Sequence, residues 1–168
     1  MCQRVLRTVA ATVVAMSAAL TVGVETASAG PPAGTGGATF VAFAQTLRQC
    51  DFSSGMHTGP TGNGNPTALV HSTGSEVVAD LQIVRAEPDT PYDVRLIQMP
   101  RASFPSCNAG DPGVAGAVLQ TDDGGAGGVT IRSAISPGAT GVWMFISRPG
   151  ELSQTPAEFY TSDFVVPL

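Results

Sequence analysis

Apolar and polar residues alternate along short stretches of the chain, most clearly in Glu76–Val84 and Tyr92–Met99. In the first stretch Val77, Leu81 and Ile83 share one side of an extended chain. Because successive side chains of a strand point to opposite faces, this period of two predicts strands with one buried face. Further runs of this kind complete a set of about eight predicted strands: Ala38–Thr46, Thr67–His71, Gly116–Thr121, Gly128–Ile135, Gly141–Ser147 and Ala157–Val166.

Turn-forming residues separate the predicted strands. Asp122–Gly125 is typical of a β-hairpin turn, since Asp and Gly tolerate positive φ angles. Ser136–Gly138 fits a type II turn, in which Pro fixes the second position and Gly supplies a positive φ at the third. Short strands without a helix long enough for a crossover predict an all-β domain at residues 38–168, folded as a single antiparallel two-sheet sandwich. A closed barrel is the alternative architecture.

Residues 1–29 have the features of a secretory signal peptide. Arg4 and Arg7 form a short basic region, an apolar run extends from Thr8 to Val24, and Ala27–Ala29 is a small-residue cleavage motif. An uncleaved membrane anchor is the alternative, but this run of 17 residues is shorter than the roughly 20 that a spanning helix needs. We therefore expect cleavage after the motif, a flexible leader at residues 30–37, and an exported chain without a membrane span.

Removal of the signal peptide would leave two cysteines, Cys50 and Cys107. Two cysteines in an exported chain predict one disulfide bond, for which a single pairing exists. A metal site on these thiols is the alternative, but neither has a second Cys or His at the spacing of a zinc site. The chain has two long connections, at residues 53–66 and 100–113, and the bridge would reach the second. Long loops often carry binding sites, and a surface loop without a function is the equally weighted alternative.

Charge and composition exclude several functions. The chain has a net charge of −5, and its eight basic residues are all Arg. Without Lys there can be no Walker-A phosphate loop, Schiff-base lysine or Ser-x-x-Lys nucleophile. The acidic balance also argues against nucleic acid as a partner, because phosphate binding needs clustered positive charge.

Few residues are candidates for catalysis or metal binding: His57 in a Gly-rich loop, His71 at the end of a predicted strand, and the nearby carboxylate of Asp51. Two His and one carboxylate suit Zn²⁺ or Fe²⁺ where they converge. Their spacing does not require convergence, and the usual hydrolase, zinc-enzyme and dinucleotide motifs are absent from the sequence. We therefore predict no catalytic residue, no metal and no cofactor.

The strand at Gly141–Ser147 is apolar on both faces. Trp143 and Phe145 share one face, and Val142 and Ile146 share the other. One face should join the core, and we expect a neighbouring loop to cover part of the other; a small exposed apolar patch is the alternative.

Four short motifs lie in or beside the predicted strands and turns: Pro91–Leu96, Thr121–Gly124, Pro137–Ala139 and Phe159–Phe164. With these motifs, residues 76–168 resemble the small secreted Ig-like β-sandwich proteins of high-GC Gram-positive bacteria. The resemblance implies an Ig-like fold and an extracellular location, and it brings no catalytic residue with it.

Two functional hypotheses follow. The first is an exported, non-catalytic protein that binds an envelope component, a protein or a small ligand through its loops or a sheet face. The alternative is a secreted hydrolase or metal-dependent enzyme that uses His57, His71 and a nearby carboxylate.

Overall fold

The computed structural model describes residues 37–56, 62–104, 106–150 and 156–168. The predicted signal peptide, nearly all of the predicted leader and His57 lie outside these residues. The described residues form strands and no helix. The strands are β1 (Thr39–Ala44), β2 (Asn65–Ser72), β3 (Glu76–Val84), β4 (Pro91–Met99), β5 (Val114–Gln120), β6 (Gly127–Ala134), β7 (Gly141–Arg148), β8 (Glu158–Ser162) and β9 (Val166–Pro167).

The strands form one antiparallel sheet in the order β5-β4-β7-β8-β1-β2-β3-β6, with β9 paired to β7. β1 belongs to both halves of this sheet, because residues 39–42 pair with β2 whereas Phe43 and Ala44 pair with β8. The sheet is therefore continuous and nearly barrel-shaped. The prediction of an all-β antiparallel fold is confirmed, but the sheet does not divide into two clearly separate layers.

The inward side chains of the sheet form the main core. In β3, Leu81 and Ile83 are buried, whereas Asp80 and Gln82 are exposed, as the alternation in the sequence predicts. Burying a Leu or Ile side chain stabilises the fold by roughly 1.5–3 kcal/mol, so this pattern decides which face of each strand turns inward. The other large members of the core are Val41, Val70, Tyr92, Leu96, Leu119, Ile131, Met144, Ile146 and Tyr160.

A second apolar cluster lies on the outer face of the sheet, around Trp143 and Phe145 of β7 and Phe159 of β8. The segment that follows β1 and the loop between β4 and β5 both pack on it. The predicted disulfide bond between Cys50 and Cys107 joins these two segments, with the Cα atoms 5.6 Å apart. Both faces of β7 are therefore covered, as its sequence predicts.

β5 and β6 are consecutive strands, yet they form the two ends of the sheet and do not pair with each other. We call the line between them the seam. At one end of the seam, Nε2 of Gln98 donates hydrogen bonds to Oγ of Ser133 (2.8 Å) and to the carbonyl of Ala134 (2.7 Å). Oε1 of Gln98 accepts a hydrogen bond from the backbone N–H of Ser136 (2.8 Å). A buried side chain of β4, the strand next to β5, thus bonds across the seam to β6 and to the residue just after it.

The turn between β5 and β6 closes the other end of the seam. Oδ1 of Asp122 accepts hydrogen bonds from the backbone N–H groups of Gly124 (2.9 Å) and Ala126 (2.8 Å). A turn therefore forms at the predicted residues, although the strands on either side of it do not pair. Gly125 has a φ of 74°, and a Cβ atom there would lie 2.2 Å from the carbonyl oxygen of Ala86. Only glycine satisfies both conditions.

Candidate functional site

An open groove crosses the outer face of β4, β5 and β7, beside the loop that joins β4 to β5. Its volume of about 610 Å³ falls in the range of small-molecule sites. Asp93–Arg95 of β4, Gly116–Val118 of β5 and Ser147 of β7 form its floor, and Asn108–Gly110 of the loop form a wall. The loop that the sequence indicates as a binding region therefore lines this groove.

Strand register decides which side chains meet on the floor of the groove. Asp93 lies opposite Val118 on one side and opposite Ser147 on the other. Arg95 lies opposite Gly116 in the next row. Because residues two apart on a strand share a face, the carboxylate of Asp93 and the guanidinium of Arg95 stand side by side. The groove thus offers a hydrogen-bond acceptor next to a donor.

The guanidinium of Arg95 is held in place from two directions. Its Nη1 donates a hydrogen bond to the carbonyl of Cys107 (3.1 Å), and its Cζ lies 4.4 Å from the centre of the Phe145 ring. Burial lowers the pKa of Arg95, and the negative charges of Asp93 and Asp111 act in the opposite direction. Among the described residues no carboxylate oxygen lies within 4.0 Å of the guanidinium, so several of its N–H groups can serve a ligand.

Local hydrogen bonds fix the wall of the groove. The carboxylate of Asp111 accepts from the backbone N–H of Asn108 (2.7 Å) and from the hydroxyl of Ser106 (3.1 Å). Ala109 packs directly on Gly116, where a Cβ atom would lie 2.3 Å from that of Ala109. Glycine at this position lets the loop lie flat on β5. The groove therefore has a fixed shape before any ligand binds.

A second cluster of polar side chains is buried inside the sheet around Glu158, whose side chain is 3% exposed. Oε2 of Glu158 accepts hydrogen bonds from the phenol of Tyr92 (2.7 Å) and from Nε of Arg148 (3.3 Å). Oε1 accepts a hydrogen bond from the phenol of Tyr160, which itself accepts one from the backbone N–H of Gly64 (2.6 Å). Each of these polar groups has a partner within the protein, so the cluster stabilises the fold and presents no free group to a ligand.

The two tyrosines of this cluster resist ionisation. Burial, and then the hydrogen bond to Glu158, raises the pKa of Tyr92 from 10.0 to about 12. The same two causes, in the same order, raise the pKa of Tyr160. Both phenols therefore stay protonated, and can donate to the carboxylate, throughout the physiological pH range.

The candidate residues of the metal hypothesis occupy ordinary structural positions where the structure describes them. Asp51 accepts hydrogen bonds from the backbone N–H (3.0 Å) and the hydroxyl (2.5 Å) of Ser53, and these bonds lower the pKa of its carboxyl group. His71 lies on β2 opposite Val78 of β3. His57 is outside the described residues. No group of three His, Cys, Asp or Glu side chains in the described part of the chain could hold a metal ion.

The sequence analysis does not identify Asp93 and Arg95 as a site. A signal was present, since two opposite charges two residues apart on a predicted strand must share a face. The sequence does not show that the loop between β4 and β5 lies beside these two residues. Glu158 left no such signal, because two of its three partners, Tyr92 and Arg148, come from other strands.

Comparisons with protein-family models, with curated proteins and with solved structures find no match to this chain. Within the described residues, no helix has the length and apolar character needed to cross a membrane.

Proposed function

We propose that this protein is an exported, non-catalytic binding module and that its ligand occupies the groove beside the loop between β4 and β5. The observation that carries the proposal is Arg95, a fixed guanidinium without an ion-pair partner in the described residues, next to the carboxylate of Asp93. A polar ligand with both donors and acceptors, such as a hydroxyl-rich envelope component, matches this pair.

Export is supported by the disulfide bond and by the signal-like residues 1–29. A bond between Cys50 and Cys107 is typical of proteins from oxidising compartments. It also holds the loop of the groove on the outer cluster, so the proposed ligand site depends on this bridge. We also propose that the chain is one of the small secreted Ig-like proteins that residues 76–168 resemble.

A binding role is also supported by the rigidity of the groove. Its floor consists of paired strands, and its wall is fixed by Asp111 and by the contact of Ala109 with Gly116. A site that keeps its shape loses little conformational entropy when a ligand binds. Ser147, the hydroxyl on the floor, has no basic partner among the described residues, so nothing there activates it as a nucleophile.

An NMR titration tests the proposal. Isotope-labelled protein is titrated separately with solubilised polysaccharide and with protein fractions of a Gram-positive cell envelope. We expect the backbone signals of Arg95, Asn108 and Val118 to shift with one of these fractions. Asp93→Ala should weaken binding about tenfold, because it removes an ionised hydrogen-bond acceptor. Asp163→Ala removes the same charge outside the groove and should leave binding unchanged.

Two results would refute the groove as the contact surface. One is a set of shifts confined to other parts of the sheet, and the other is binding that Asp93→Ala and Asp163→Ala affect equally. Stoichiometric zinc or iron in the purified protein would instead favour the enzyme that uses His57, His71 and Asp51.

A further inference from the structure

Asp93 and Arg95 carry opposite charges on one face of β4, yet they do not form an ion pair. Alternate residues of a strand lie about 7 Å apart. Among the described residues, no carboxylate oxygen lies within 4.0 Å of the Arg95 guanidinium. The carboxylate of Asp93 has no hydrogen bond or ion pair in the described part of the chain either. Both charges can therefore bind a third group.

Two contacts hold the guanidinium of Arg95 apart from Asp93. Phe145 lies opposite Arg95 on β7, and Cζ of Arg95 is 4.4 Å from the centre of its ring. Nη1 of Arg95 donates to the carbonyl of Cys107 (3.1 Å) in the loop. Both contacts draw the guanidinium sideways, towards β7 and the loop, whereas Asp93 lies along β4. A ligand can therefore bind between the two charges without first breaking an ion pair.

The balance of charge in the groove disfavours a ligand with a single charge. An anion on Arg95 would lie beside the carboxylate of Asp93, and Asp111 at the wall adds a second negative charge. A cation on Asp93 would lie beside Arg95. Because like charges repel and unlike charges attract, a ligand with one charge of each sign fits best, with its cation at Asp93 and its anion at Arg95.

A neutral ligand would meet the same hydrogen-bonding pattern but would bind it less well. Covering an ionised group removes water from it, and only a good partner offsets that loss. Hydrogen bonds to ionised groups are roughly twice as strong as those between neutral groups, and the strongest have a charge on both sides. Opposite charges on the ligand therefore suit Asp93 and Arg95 better than hydroxyl groups do.

Val118 makes one side of the floor apolar. It lies opposite Asp93 on β5, and its side chain is 61% exposed. Its neighbour in the next row, Gly116, is covered by Ala109 of the wall. A short aliphatic side chain of a ligand would lie against Val118 and remove apolar surface from water.

We infer that the groove binds a zwitterionic α-amino-acid group, with its ammonium on Asp93, its carboxylate on Arg95 and an aliphatic side chain on Val118. The group can be a free amino acid or part of a larger envelope component. Its two charges are attached to one carbon atom, so both can reach neighbouring residues on one face of β4. The inference rests on the proposed function and names the chemical class of its ligand.

An NMR titration of the unaltered protein with leucine and three other compounds tests the inference. Leucine carries both charges, leucinamide carries only the ammonium, N-acetylleucine carries only the carboxylate, and glucose carries neither. We expect leucine to shift the backbone signals of Asp93, Arg95 and Val118, with a dissociation constant of roughly 1 mM for so small a ligand. Each of the other compounds should bind at least about tenfold more weakly, because it lacks one or both charged contacts.

Two substitutions assign the charges to their residues. Asp93→Asn keeps the shape of the side chain, and it should bind leucine no better than the parent binds N-acetylleucine. Arg95→Gln should remove the preference for leucine over leucinamide. Asp163→Asn and Arg85→Gln remove the same charges from exposed positions outside the groove and should leave leucine binding unchanged. The comparison of the four compounds on the parent stands even where Arg95→Gln does not fold.

Two sets of results would overturn the inference. Leucine that binds no more tightly than leucinamide, N-acetylleucine or glucose would exclude the zwitterion and leave the groove as a binding site. Leucine that shifts no signal of the groove would exclude the zwitterion as well. The groove itself fails only where the envelope fractions also leave its signals unchanged.

Discussion

The phenol of Tyr92 donates a hydrogen bond of 2.7 Å to the carboxylate of Glu158, although 66 positions separate the two residues in the sequence. The bond joins the start of β4 to the start of β8, two strands that do not pair with each other. With Tyr160 on its second oxygen and Arg148 beside it, the buried carboxylate has donors on both oxygens. Such a charge is tolerated in a core only while those donors remain.

Removing the carboxylate should therefore weaken the fold. We expect Glu158→Ala to lower the free energy of unfolding by about 3 kcal/mol, because two phenols and a guanidinium lose a buried partner. Urea unfolding measures the change. Glu76→Ala is the control, since its ion pair with Arg132 is solvent-exposed and should contribute less than about 1 kcal/mol. Equal losses in the two variants would contradict the role of burial.

Stability should also fall at alkaline pH. In the unfolded chain Tyr92 ionises near its usual pKa of 10.0, whereas in the folded protein burial and Glu158 raise that pKa to about 12. A raised pKa gives stability that is complete below pH 10 and is lost as the pH approaches 12. Tyr92 and Tyr160 are the only tyrosines, so tyrosinate absorbance reports on this cluster alone.

We expect that absorbance to stay low in the native protein above pH 10 and to appear together with unfolding. Tyr92→Phe should reduce the total change by half. Tyrosinate absorbance that rises near pH 10 while the protein remains folded would show that the phenols are accessible.

The seam between β5 and β6 should depend on Gln98. Gln98→Ala removes three hydrogen bonds and leaves the carbonyl of Ala134 and the N–H of Ser136 without this partner, so we expect a loss of about 2–3 kcal/mol in thermal or urea unfolding. Gln82→Ala changes the same residue type at an exposed position of β3 and should stay within about 0.5 kcal/mol of the parent. If Gln98→Ala leaves the free energy of unfolding unchanged, the packing of the core alone holds the seam closed.

Reduction of the disulfide bond should be visible in the fluorescence of Trp143. Cys50 and Cys107 close a loop of 57 residues, for which the chain-entropy estimate is about 4 kcal/mol of stability. The only tryptophan lies beneath the two linked segments, with Phe52 at 5.5 Å between ring centroids. We expect reductant to lower the unfolding midpoint and to shift Trp143 emission to longer wavelength at temperatures where the oxidised protein is unchanged. Alkylation without reductant should label neither Cys50 nor Cys107.

Replacing the histidines should have little effect. We expect His71→Ala to change the free energy of unfolding by less than about 0.5 kcal/mol, because the side chain has no hydrogen bond among the described residues. His57→Ala should behave alike. Thermal melts and elemental analysis of zinc and iron check both variants against the parent. Metal that is present in the parent and lost in either variant would contradict the non-catalytic proposal.

Alternation along the chain was sufficient to predict the strands, because burial of one face is a local, periodic property. The Asp122 turn followed from local φ preferences, and the pairing of Cys50 with Cys107 followed from their number. The sequence also predicts that both faces of β7 are covered. Trp143 and Phe145 are large apolar side chains, and the opposite face of the same strand is apolar as well.

Three features were decided by the tertiary structure alone. The nearly closed barrel results from the double pairing of β1, which strand patterns cannot reveal because they do not specify neighbours. The alternation places Gln98 and Glu158 on the inward faces of their strands, with Leu96 and Tyr160, and both are buried. It does not show which groups bond to these polar side chains, because most of their hydrogen-bond partners come from distant parts of the chain. The groove at Asp93 and Arg95 arises from where the loop at residues 100–113 lies across the sheet. Periodicity records the face that each side chain occupies, whereas its partners depend on the path of the whole chain.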